Sequence, residues 1–217
     1  MRVFGFVLLL LPGIALCQPP DTDEKPEDHI LGVVPNYNTV AVPKNVEPMT
    51  PGEKFKLASK DAFDPFAWGM TGVYAGVAQW HNQYPEWGQG DAAYGKRYGA
   101  LFADQAVSTY LSESLFPTLL HEDPRFFRLG KGSFWKRTGY ALSRVIVNRT
   151  DAGPDRFNNS EIEGNMIAAA LGTLYYPASG RTVTQTIERF SVSVLSDAGF
   201  NVLKEFWPDM RRKVLKR

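Results

Sequence analysis

The 217-residue sequence has one cysteine, three histidines and a net charge of only +1. Each scarcity removes a class of function. With Cys17 as the sole thiol no disulfide can form within the chain, so the fold must rest on its own core. Histidine occurs only at 29, 81 and 121, which argues against a multi-histidine zinc site, and no metal is expected. A near-neutral charge gives no electrostatic footprint for nucleic acid. The phosphate-cradling loop of P-loop enzymes and the Gly-x-Ser-x-Gly elbow are both missing, and no cofactor is expected. No stretch approaches the roughly twenty uninterrupted apolar residues that a spanning helix needs, and no repeat of solenoid length is evident.

What is present begins with Met1-Arg2, an apolar run from Val3 to Leu11, and a small-residue region ending Ala15-Leu16-Cys17. These features predict a signal peptide over residues 1–17, cleaved near Cys17, and export to the periplasm or cell envelope. Lipidation at Cys17 is the alternative, and the bulk of Leu16 disfavours it. Residues 18–50 read as a Pro-rich extended arm, since Pro19, Pro20, Pro26, Pro35, Pro43 and Pro48 leave no room for a helix. Its apolar pieces, Ile30 to Val34 and Val40 to Val42, are expected to lie along the domain as strands or clamps. Acids from Asp21 to Asp28 load the arm, and bases from Arg211 to Arg217 close the chain.

Residues 51–217 form the predicted domain. Helix starts recur: Thr50-Pro51-Gly52-Glu53 has the form of a capping box, Asp64-Pro65 and Asp123-Pro124 pair a cap with proline, Ser133 and Ser160 precede apolar runs, and Ser179 and Pro208 suggest further starts. The expected helices cover 51–61, 65–82, 91–120, 134–149, 161–176 and 180–206, with a last turn after Pro208. The fold class is all-α, a compact bundle of about six helices. Small residues four apart, Gly72 and Gly76, Gly95 and Gly99, Gly164 and Ala168, predict close helix packing.

Chemistry is concentrated in Leu119-Leu120-His121-Glu122-Asp123-Pro124-Arg125-Phe126-Phe127-Arg128. A hydrolase reading makes His121 the general base, oriented by Asp123 or Asp104, with Arg125 or Arg128 holding an anion. The competing reading gives Asp123 to a turn and His121 to a helix end. Single charges in apolar helices, Asp104, Arg144 and Asp197, must be paired if buried. One of the acids is therefore expected to meet Arg144 or Arg137. Glu161 with Asn165, and Ser193 with Asp197 and Asn201, predict a polar binding seam through the core. A ligand carrier is a third reading, with a pocket lined by Trp68, Tyr74, Phe102 and Tyr140. Near the C-terminus Leu203, Phe206, Trp207, Met210 and Val214 share helical spacing beside the bases, the pattern of a helix lying in a lipid interface or docked on the domain.

The segments ILGVVPNYNTV, LFPTLLHEDPRFFR, FNNSEIEGN and NVLKEFWPDM resemble a family of exported bacterial proteins of the acidobacterial type. The resemblance runs from about Ile30 to Met210. It implies an envelope location and supplies no catalytic residue. The Pro-Ser-Gly-His signature of the phosphatidic-acid phosphatases is missing. The sequence thus points to a non-catalytic envelope protein that binds a membrane surface or a protein partner through its basic C-terminal segment.

Overall fold

The computed structural model describes residues 28–41 and 46–215, the side chains of 213–215 excepted. The expected signal peptide, Cys17, the acids from Asp21 to Glu27, and Lys216 and Arg217 lie outside the described residues.

Among the described residues seven α-helices carry the fold: α1 (Pro51–Ala62), α2 (Pro65–Trp80), α3 (Asp91–Tyr110), α4 (Phe116–Leu120), α5 (Phe134–Ser143), α6 (Asn159–Leu171) and α7 (Val183–Leu215). The molecule is an all-α bundle. Helix α2 packs on α3, α3 on α1 and α6, α6 on α7, and α5 on α7. Phe66 meets Phe200 edge-on and closes α2 onto α7.

Local chemistry sets most helix starts. The Thr50 side chain accepts from the Glu53 amide while Glu53 reaches back to the Thr50 N–H, a complete capping box for α1. Asp64 caps α2 by accepting from Phe66 N–H at 2.8 Å, and Ser133 caps α5. Elsewhere the structure departs from expectation. Helix α6 is capped by Asn158, which accepts from Glu161 N–H, because the Ser160 amide is taken by Glu122 instead. Ser179 opens no helix; Thr182 caps α7, accepting from Gln185 N–H at 3.2 Å. Pro208 lies inside α7 without ending it. Between α3 and α4 the residues Leu111–Leu115 form a π turn. The expected helix 134–149 stops at Ser143, and Val147–Arg149 (β5) instead pairs antiparallel with Asp155–Phe157 (β6).

Of the expected arm, residues 28–41 and 46–50 are described, and three short strands lie within the first of these stretches. His29–Ile30 (β1) pairs with Val34–Pro35 (β2), and Thr39–Val40 (β3) runs parallel to Phe126–Phe127 (β4). Ile30, Phe126 and Phe127 are buried.

The interior is made mainly of small residues. Alanine is the commonest buried apolar residue, as at Ala58, Ala75, Ala100, Ala141 and Ala168. Buried polar groups sit beside it: Lys54, Arg97, Glu122, Asn165 and Glu205. Large apolar side chains on α2, α6 and α7 turn outward. Of the small-residue pairs, only the one on α6 brings backbones together. A Cβ on Gly164 would lie 2.9 Å from Ser112 N, whereas Gly76, Gly95 and Gly99 have nothing within 4 Å.

Candidate functional site

Four carboxyl side chains, one from each of four segments, meet near the middle of the bundle. Asp61 comes from the last turn of α1, Glu113 from the π turn, Glu161 from the first turn of α6 and Asp197 from the middle of α7. The π turn holds one more residue per turn than an α-helix, which re-aims side chains locally. Lys204, two turns beyond Asp197, donates to Asn38 Oδ1 at 2.7 Å, and Asn38 Nδ2 lies 3.5 Å from Glu113 Oε1. A neutral chain extends the cluster: Asn165 Nδ2 donates to the Glu161 carbonyl and to Glu161 Oε1, both at 2.9 Å, and Ser108 Oγ donates to Asn165 Oδ1. Ser193 Oγ is 3.5 Å from Ser108 Oγ. All four acids keep a partly accessible surface.

Electrostatics then dictates protons. Asp61 and Glu113 are within hydrogen-bond reach of each other, as are Glu161 and Asp197. Asp61 Oδ1 and Glu113 Oε2 are enclosed and receive no donor from any other protein group. Two carboxylates have no hydrogen to share, so each pair is satisfied only when one member is protonated. Desolvation pushes Glu113 well above the ordinary carboxylate range, and the charge of Asp61 adds to it. Desolvation does the same to Glu161, with Asp197 adding. Asp61 and Asp197 are also raised by desolvation, but Lys204 pulls both down, and Asp197 is lowered further by its bond with Glu161. The glutamates are thus the protonated members and the aspartates the charged ones, with Lys204 as the shared counter-ion.

The expected catalytic group does not converge. His121 is exposed and left-handed at the end of α4, with φ of 55°. Asp123 is buried and holds the Arg125 guanidinium at 2.6 Å, while its Oδ1 also accepts from Arg125 N–H. Glu122, between them, accepts from Ser160 N–H at 3.0 Å and so places a carboxylate on the N-terminus of α6. Asp104 belongs to another neighbourhood, accepting from Tyr176 at 2.7 Å and from Tyr175. Arg128 sits by Glu205, and burial lowers its pKa. The His121 segment is therefore taken up by capping and ion pairing.

Nor do the lone charges pair as expected. Arg144 binds Asp155 in the hairpin at 2.9 Å, and Arg137 binds Glu205 at 2.7 Å together with Asp209. Both arginines, on α5 and its C-cap, find their acids in β6 and in the later part of α7, so neither Asp104 nor Asp197 receives one of them. The proposed carrier pocket is likewise divided. Trp68 packs edge-on to Phe102, but Tyr140 lies tilted beside Phe126 and donates to the Phe127 carbonyl at 2.6 Å. Near α1 an open apolar groove of about 390 Å³ is lined by Phe55, Tyr110, Leu111 and Leu115.

Three ionisable participants of the seam were not anticipated. Glu113 is a single acid in Ser-Thr-Tyr-Leu-Ser-Glu-Ser-Leu-Phe, the same signal that marked Asp104. Asp61 and Lys204 lie among other charges and carry no such mark. Among the described residues no group of three or more His, Cys, Asp or Glu is placed to hold a metal ion, and no helix is long and apolar enough to cross a membrane. Comparison of the chain with known protein families, curated proteins and solved structures finds no match.

Proposed function

We propose that this chain is an exported, non-catalytic envelope protein that works by binding a membrane. The observation that carries the reading is the inverted distribution of side chains: several titratable groups turn inward and satisfy one another, while large apolar groups stand exposed on α2, α5, α6 and α7 and on the turn after α6. Trp80 is 84 % exposed, Val183 76 %, Leu174 74 % and Leu195 71 %. Monomeric proteins in water seldom leave contiguous apolar surface of that extent uncovered. The dispersal of His121, Asp123 and Asp104 supports a role without catalysis.

The basic C-terminal segment contributes less than its sequence suggests. Trp207 is buried, and Phe206 lies against Phe134 and the Arg137 guanidinium, so the aromatic side of that stripe is occupied by α5.

Fractionation of cells exporting the chain tests the reading. The protein is expected in the membrane pellet and to stay there through a high-salt wash and after deletion of residues 210–217. Recovery of the intact chain in the soluble fraction overturns it, and release by the deletion would move the binding surface to the basic tail.

A further inference from the structure

The apolar exterior is organised as a belt. Helix α2 has no charged residue from Pro65 to Trp80, the chain from Gly164 to Gly180 has none, and α7 has none from Phe190 to Ser196. In α3 the stretch Tyr98–Ser112 contains only Asp104, which turns inward to Tyr175 and Tyr176. Arg189, at the edge of the α7 stretch, is also drawn inward. Its guanidinium donates to the carbonyls of Gly180 and Ala169 at 2.9 and 3.0 Å and lies over the Tyr176 ring. Charge returns in the chain on either side of these stretches, at Glu86 and Asp91 between α2 and α3, at Arg181 before α7 and at Glu163 before the α6 stretch, and exposed Lys96 lies on α3 between Tyr94, which bonds the Gly72 carbonyl, and Tyr98, which bonds that of Trp68. The belt is about 20 Å tall, taking 1.5 Å per helical residue from Trp68 to Trp80 on α2.

We infer that this belt is in contact with the hydrocarbon of a lipid layer, so that the chain is held by acyl chains rather than by headgroup charge; this rests on the membrane-binding reading above. Three features select lipid over a protein partner. The exposed apolar positions extend over the neighbouring helices α2, α6 and α7 rather than over one helix face. They carry no polar rim of their own between the charged ends, as a protein interface would. Tryptophans Trp68 and Trp80 mark the two ends of the α2 face, where indoles favour a membrane–water boundary. At about 20 Å the belt is shorter than a hydrocarbon core of about 30 Å. It therefore matches partial immersion.

Tryptophan quenching reads this directly. The full chain is mixed with phosphatidylcholine vesicles with and without acyl-chain bromines, and with vesicles that include phosphatidylglycerol. The first tryptophan is Trp68, so the apolar run at Val3–Leu11 adds nothing to the signal. Bromines in neutral vesicles are expected to quench the fluorescence. Trp68→Phe and Trp80→Phe together should remove most of the quenching, and Trp135→Phe should leave it unchanged, because Trp135 lies on α5, away from the belt. All three indoles are well exposed, so the substitutions leave the fold in place. Vesicle binding without quenching overturns the hydrocarbon contact but leaves membrane binding standing, and quenching lost with Trp135 alone moves the contact to α5 and overturns the belt. Binding that requires phosphatidylglycerol and leaves the bromines without effect assigns the attraction to basic groups. A stable dimer in solution that ignores vesicles gives the belt to a second copy and removes both readings.

Discussion

At the scale of single residues, the clearest consequence comes from the protonated glutamates. A carboxyl whose folded pKa is raised contributes fully below its unfolded value, about 4.3 for Glu, and loses that contribution as pH climbs through the folded value. Desolvation raises Glu113 and Glu161 well above the ordinary range, so the protein should lose stability from mildly acid toward alkaline pH. Glu113→Gln keeps a donor for Asp61 and removes the titration. Its melting temperature should match the wild type near pH 4 and exceed it by about 3–6 °C near pH 9, the shift for roughly 1–2 kcal/mol in a chain of this size. Thermal denaturation across that range checks it, and a wild-type melting temperature that stays flat would show that the pairs share no proton. Buried Arg97 illustrates what residue-level reading missed. Its guanidinium donates to the Gln83 carbonyl at 2.6 and 3.0 Å and to Gly88 O at 3.1 Å, pinning a loop in which Asn82 and Tyr84 take positive φ. In sequence it looks like any charge on an amphipathic helix.

At the scale of elements, what could be read depended on how local the cause was. Thr50, Asp64 and Ser133 act on amides two or three residues ahead, and those caps are legible in the sequence. The Asn158 cap is a displacement: Glu122, 38 residues away, takes the Ser160 amide. Pro208 was expected to break α7, but α5 grips both sides of it through Arg137 with Glu205 and Asp209. Pairing partners of buried charges were the least legible, because they depend on which helices become neighbours. The same contrast governs the glycines. Gly164→Ala would drive a Cβ into the Ser112 and Leu111 backbone at 2.9–3.1 Å. Backbone has no rotamer to yield, so a loss of about 1–3 kcal/mol is expected. Gly76→Ala meets open space on an exposed helical face and should gain about 0.5–1 kcal/mol. Urea titrations of the two variants should move in opposite directions; a loss at both would mean that Gly76 is covered by something in solution.

At the scale of the whole molecule, the all-α class followed from spaced caps and apolar runs. The four-carboxyl seam and the outward apolar belt did not, because both depend on the sense in which each helix is turned. Periodicity shows that a helix has two faces but does not say which is inside when the core is alanine and the exterior is tryptophan and leucine. The arm is the part whose placement is most distant from its sequence neighbours. Asn38 bonds Glu113 and Lys204, 75 and 166 residues further on, and the amides of Phe126 and Arg128 donate to the carbonyls of Asn38 and Val40. Asn38→Ala should therefore speed hydrogen exchange at Phe126 and Arg128 several-fold while α2 and α3 amides keep their wild-type rates; unchanged exchange at β4 would mean that strand pairing alone holds the arm.

That geometry also imposes an order of events. A ribosome makes the chain from its N-terminus, so the arm emerges before every surface it later touches. The segment that is synthesised early is fastened late, because its partner Lys204 belongs to α7. Asn38 meets Lys204 only after the 166 residues that follow it up to Lys204 have been made, so closure of the arm waits on the synthesis of α7.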